Sequence, residues 1–236
     1  QDTQQIWLKF EKELGLQTRY AVDMEIEAMG MTMPSKMFRT EGKTRSEMTL
    51  PFMNMHMVAL ERPENGKTVR YSLFPDKKKY CLMPEEEKAK GVKKPTFKLE
   101  ELGTEAYEGE TCKKRRMTVK MSDDDEQVMD MLFSSTQKNM PVKMTATATI
   151  KTEAGQPPTP ITSVVLFKNY RFGPQDASLF TIPKDYTKAK DMQEIMMSGL
   201  FGGGAGGQPP AGGMTLPPEA LEALQKAQTE GAPKDA

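Results

Sequence analysis

Apolar and polar residues alternate along most of the chain. Tyr20, Val22, Met24, Ile26 and Ala28 fall on one side and Asp23, Glu25 and Glu27 on the other, an order that helical spacing would scatter. Such a segment is a half-buried strand. The same period predicts strands over Met31 to Thr40, Thr44 to Leu50, Met53 to Leu60, Thr68 to Phe74 and Lys79 to Met83. Turn residues separate them: Glu41-Gly42-Lys43, Pro51, Pro63-Glu64-Asn65-Gly66 and Pro75-Asp76-Lys77. Further strands are expected over Phe97 to Ala106, Thr111 to Met121, Val128 to Phe133, Val142 to Thr152 and Ile161 to Phe172. Ser122 to Glu126 fits either a capped helix start or a hairpin turn. The turn is preferred, because Val128, Asp130 and Leu132 alternate with Met129, Met131 and Phe133, and a helix would mix acids and methionines on one stripe.

Three stretches have helical spacing instead. Ile6, Trp7, Phe10 and Leu14 make a short amphipathic helix over Gln4 to Leu14, stopped by Gly15; its apolar stripe has only the sheet to lie on. Met192, Ile195, Met196 and Leu200 do the same over Lys188 to Leu200. Glu85 to Lys90 holds good helix formers but almost no apolar face, so it is either a lid or an exposed connector. Ser178 to Pro183 reads as an apolar tuck at the domain's edge. Glycine and proline crowd the chain after Ser198, which divides it into a β domain over 1–201 and a flexible tail over 202–236 with a weak helix near Pro217 to Gln228.

Composition narrows the function. Lys and Arg number 33 and Asp and Glu 33, interspersed, so no long-range field recruits nucleic acid or an anionic membrane. No apolar run reaches the roughly 18 residues of a membrane helix. The chain opens on Gln1, as a processed exported protein would, and export with the signal segment removed is the expectation. Cys81 and Cys112 match no zinc or redox spacing; in an oxidising compartment they are candidates for a disulfide, which geometry decides.

The 20 methionines change the picture most. Met24, Met37, Met48, Met53, Met55, Met57, Met129, Met131 and Met144 recur on alternate strand positions, and with Ile26, Tyr71 and Leu73 they form a candidate lining for an apolar site. Flexible, polarisable thioethers adapt to chains of varied shape. The plainer reading is a core packed with methionine. A third reading is a copper(I) site at Met53, Met55, His56 and Met57, with Met29 to Met33 beside it, although on a strand His56 points away from its methionine neighbours. A catalytic constellation is missing from the sequence: His56 is the sole histidine, no nucleophile elbow occurs, and Glu25 and Glu27 sit on a solvent face. The aspartates at 123–125 lack the glycine and distal glutamate of an EF-hand. Lys113-Lys114-Arg115-Arg116 splits between two faces of its strand, as a solvated strand does.

Several local motifs carry a resemblance. They are Phe38-Arg39-Thr40-Glu41-Gly42-Lys43-Thr44-Arg45-Ser46-Glu47, Lys79-Tyr80-Cys81-Leu82-Met83-Pro84, Glu101-Leu102-Gly103-Thr104-Glu105 through Gly109-Glu110-Thr111-Cys112, Pro141-Val142-Lys143-Met144 and Phe180-Thr181-Ile182-Pro183-Lys184-Asp185-Tyr186. In this order they resemble an uncharacterised exported bacterial domain family within the LolA/LolB-like lipoprotein-carrier superfamily, over roughly Tyr20 to Tyr186. The resemblance implies a mainly β fold: about eleven antiparallel strands in a curved half-barrel, with a few short helices covering the concave face. It also implies an apolar ligand, commonly acyl chains of lipid or lipoprotein, held in the periplasm without catalysis or cofactor. A lid-holding arginine belongs to that plan, and Arg39 and Arg45 both lie near the right strands. A peripheral membrane or envelope partner follows from such carriage; a structural or interaction module is the remaining alternative.

Overall fold

The computed structural model describes residues 10–28, 30–50, 55–83, 96–122, 125–150 and 159–201. Residues up to Met196 belong to one compact unit, with which everything below is concerned. Its strands are β1 (Tyr20–Ala28), β2 (Met31–Thr40), β3 (Lys43–Leu50), β4 (Met55–Glu64), β5 (Lys67–Phe74), β6 (Lys79–Leu82), β7 (Thr96–Tyr107), β8 (Glu110–Ser122), β9 (Asp125–Ser134), β10 (Met140–Ile150), β11 (Thr159–Phe172) and β12 (Thr187–Lys188). Helix α1 is described over residues 10–14, and α2 is Met192–Phe201. The hairpins close where the turn chemistry demands: Asn65 at φ 50° and Gly66 at φ 77° join β4 to β5, the left-handed pair that matches strand twist.

All twelve strands form one open, curved sheet in the order β12-β6-β5-β4-β3-β2-β1-β11-β10-β9-β8-β7. The chain zips outward from β1 to β6, reappears at the opposite edge as β7, and zips back until β11 pairs with β1. The mainly β class and the eleven long strands agree with the alternation. The twelfth strand was not foreseen: two residues, Thr187 and Lys188, pair parallel with Lys79 and Tyr80 and make the sheet mixed. β4 also runs on through Pro63 to Glu64 rather than ending before it.

Cross-strand register sorts the side chains into two faces. On the first, Phe10 and Leu16 pack on Tyr20, Val22, Met24, Met117, Val119, Met131 and Phe133. Farther along the same face, Ile195 of α2, with Ala189, covers Met55, Phe74 and Cys81. On the second face a 3-10 turn, Ala177–Phe180, presses Phe180 onto Val58, Leu60 and Leu73, so the tuck expected over Ser178 to Pro183 does cover the sheet. The start of the helix expected over Gln4 to Leu14, the segment Glu85 to Lys90, the tail from 202 and Met29 lie outside the described residues. So do 51–54 and 123–124; on either side of the latter, Ser122 of β8 pairs with Asp125 of β9.

The cysteines do not pair. Both are free and buried. Cys81 faces Ser72 on the first face, whereas Cys112 packs with Leu132 and Val142 on the second, and eight strands lie between β6 and β8. A disulfide needs Cα atoms within about 7 Å.

Candidate functional site

Register builds a single methionine face. Met24 pairs with Ser35, Ser35 with Met48, and Met48 with Met57. In the other direction Ile26 pairs with Val165, Val165 with Met144 and Met144 with Met131, while Ala146 pairs with Met129. Met37 belongs to the same face through Val22, and Met55 through Met57, two residues along β4. Thus nine of the twelve lining candidates share one face: Met24, Ile26, Met37, Met48, Met55, Met57, Met129, Met131 and Met144. Met53 lies outside the described residues. Tyr71 and Leu73 are a correction: they pair with Leu60 and Val58 on the opposite face, beneath Phe180.

Coverage of this face is uneven. Met131 is fully buried and Met24 and Met55 are nearly so, whereas Ile26, Met33, Met37, Met48, Met57, Met129 and Met144 are half-buried. Beside the methionines runs a register row of small side chains, Met37 to Ser46 to Ala59 to Ser72. Small residues between larger ones make a shallow trough crossing β3 to β5. The next row is polar: Arg39, Thr44, Glu61 and Arg70. There Arg39 Nη2 donates to Glu11 Oε2 of α1 at 2.6 Å and Arg39 Nη1 to Thr44 Oγ1 at 2.6 Å, and Arg70 meets Glu61 at 2.9 Å. The Arg39–Glu11 pair is almost wholly buried, and Arg39 Nε has no hydrogen bond among the described residues. Neighbouring Tyr20 donates to Met37 Sδ at 3.8 Å, and burial pushes its phenol up to about 12, so it stays a neutral donor. Arg45, the other candidate for a lid arginine, lies on the second face and binds Glu47 and the Leu179 carbonyl.

The second face is different in chemistry. A groove of about 530 Å3 opens there, lined by charged and polar residues such as Glu25, Lys36, Arg45, Glu47, His56 and Lys168 and also by Met24, Met48, Met57 and Val58. Its charges are internally balanced: Lys168 to Glu25 at 2.7 Å, Arg45 to Glu47 at 2.6 Å, and Asp23 with Arg171, whose hydrogen bond holds the Asp23 carboxyl below its usual range. His56 belongs to this groove. Its backbone N–H donates to Asp76 Oδ2 at 2.9 Å and its Nδ1 lies 3.2 Å from Asp76 Oδ1, which together hold the Asp76 carboxyl low. The copper(I) constellation proposed around His56 is therefore not assembled: the imidazole and the thioethers of Met55 and Met57 are on opposite faces. Among the described residues no group of three or more His, Cys, Asp or Glu side chains is placed to hold a metal.

The basic run divides as its alternation required. Lys114 and Arg116 reach Glu105 and Asp130 on the second face, while Arg115 lies over the Phe133 ring on the first. Sequence reasoning missed Met117, which alternates with Val119 along β8 as plainly as the residues chosen. It also missed the trough, because Ser46, Ala59 and Ser72 gain meaning only once their strands are in register.

No family model matches the chain, and no curated protein matches it. Solved structures do resemble it: an outer membrane lipoprotein-sorting protein domain from Vibrio parahaemolyticus, at 12% identity and TM-score 0.36, covering 75% of this chain and 95% of that one. A LolA superfamily protein from Nitrosomonas europaea matches at 10% identity and TM-score 0.35 over 77% and 98% of the two chains. A DUF1329 family protein from Desulfovibrio piger matches at 10% and 0.35 over 75% and 95%.

Proposed function

We propose that the protein binds and carries an apolar ligand, a lipid or acyl chain, on its methionine face and performs no chemistry on it. The observation that supports this most is the half-buried middle of that face. Met37, Met48 and Met57 border a trough of small side chains, α1 and α2 cover the two flanks, and a polar row runs alongside. An amphiphile fits such a surface with its chain along the thioethers and its headgroup at the polar row. Each buried methylene contributes about 0.8 kcal/mol, so one acyl chain supplies ample binding free energy. The setting in this reading is the bacterial envelope, where apolar cargo must cross water.

The test is native mass spectrometry of the full chain purified without detergent from the exporting compartment, followed by solvent extraction. A released lipid mass is expected, and the double substitution Met48→Glu/Met57→Glu, which puts two carboxylates into the trough's wall, should abolish it. A protein-only mass that stays unchanged after adding a single-chain lipid would reject carriage.

A further inference from the structure

Apolar carriage leaves one feature of the methionine face without a task. Cys81 is 1% exposed, and no hydrogen bond to its Sγ forms among the described residues. Four thioethers surround its cluster. Met55 and Met57 stand two apart on β4 and so share a face; Met192 and Met196 stand four apart on α2 and share a stripe. The cluster's other members, Phe74, Ala189 and Ile195, carry no donor in their side chains. One thiol and four thioether side chains thus belong to one packed cluster where the helix meets the sheet.

We propose that Cys81, Met55, Met57, Met192 and Met196 form a binding site for copper(I). Soft sulfur donors select a soft monovalent ion over magnesium, calcium or zinc. On binding, the thiol loses its proton to solvent and the new Cu–S bond joins a thiolate to a monovalent cation, so the buried thiolate's charge is cancelled where it forms. Met57, Met192 and Met196 are half-buried and give the ion a way in past sulfur. The site stands apart from His56, whose ring is on the other face; it shares Met55 and Met57 with the methionine face, but its test uses copper alone and needs no lipid.

The reduced full chain is titrated anaerobically with copper(I) against a colorimetric copper(I) chelator. One ion per chain withdrawn from the chelator, one proton released per ion and a sulfur-only shell by X-ray absorption are expected. His56→Ala should bind as the parent does, and Cys81→Ser should weaken binding by at least about ten-fold. Met192→Leu/Met196→Leu conserves core volume and should keep the fold's circular dichroism while also losing about ten-fold in affinity, which decides the matter even if Cys81→Ser fails to fold. The site is overturned if the chelator keeps all the copper, if the Leu pair binds as tightly as the parent, or if nitrogen ligands appear that His56→Ala removes.

Discussion

At the scale of single residues, charge on this protein is spent on its own strands. Arg116 grips Asp130 with two hydrogen bonds, Nε to Oδ1 at 2.6 Å and Nη2 to Oδ2 at 2.8 Å, and these hold the Asp130 carboxyl below its ordinary range against the opposing effect of burial. The direction sets a pH dependence. A carboxylate whose folded pKa is depressed contributes stability fully above its unfolded value, about 3.9, and loses that contribution as pH falls through the lower folded value. Asp130→Asn should therefore lower the urea midpoint at pH 7, and the gap from the parent should close as both are titrated below about pH 3. A gap that stays constant down to pH 2 would mean the pair's charge contributes nothing. The Lys113-Lys114-Arg115-Arg116 run was legible as two faces because strand alternation has a fixed period; its partners Glu105 and Asp130 were not, since they come from two neighbouring strands.

The long strands were legible for the same reason, and the failures have definite physical causes. Tyr71 and Leu73 looked like lining because they are apolar and alternate. At the end of β5, though, Ser72, Leu73 and Phe74 are all buried, Phe74 under α2 on one face and Leu73 under Phe180 on the other. Where a strand is covered on both sides, alternation no longer tells which side holds the site. β12 is two residues long and has no period at all. Helix α1 shows how an element is fixed to the sheet: beyond Phe10, it is held by Glu11 on Arg39, both nearly solvent-free. Removing Glu11 takes the counter-ion from buried Arg39, so Glu11→Leu alone should cost about 3–5 kcal/mol by urea unfolding. Arg39→Met/Glu11→Leu together should recover most of that loss. Costs that simply add would show that the two side chains act independently and that α1 is held by its apolar contacts.

At the scale of the molecule, strand order joins what the chain separates. β1 sits between β2 and β11, so Glu25 meets Lys168 from the far end of the domain, and the methionines of β3 and β4 become continuous with those of β9 and β10. Alternation supports the expectation that these methionines line one face, but no local pattern carries the strand order that joins them. A continuous, half-covered apolar face in water lacks part of its burial, and a ligand that completes it stabilises the folded state alone. By mass action a ligand at a hundred times its Kd adds about 2.7 kcal/mol, and in a domain of this size each kcal/mol raises Tm by about 2–4 °C. The protein stripped of bound lipid should therefore melt about 5–10 °C lower than the same protein refilled with a single-chain lipid at that excess. Met48→Glu/Met57→Glu should melt at one temperature with or without lipid, because charge in the trough's wall removes the affinity that drives the shift. A parent whose Tm ignores saturating lipid would leave the half-buried methionines as packing and nothing more.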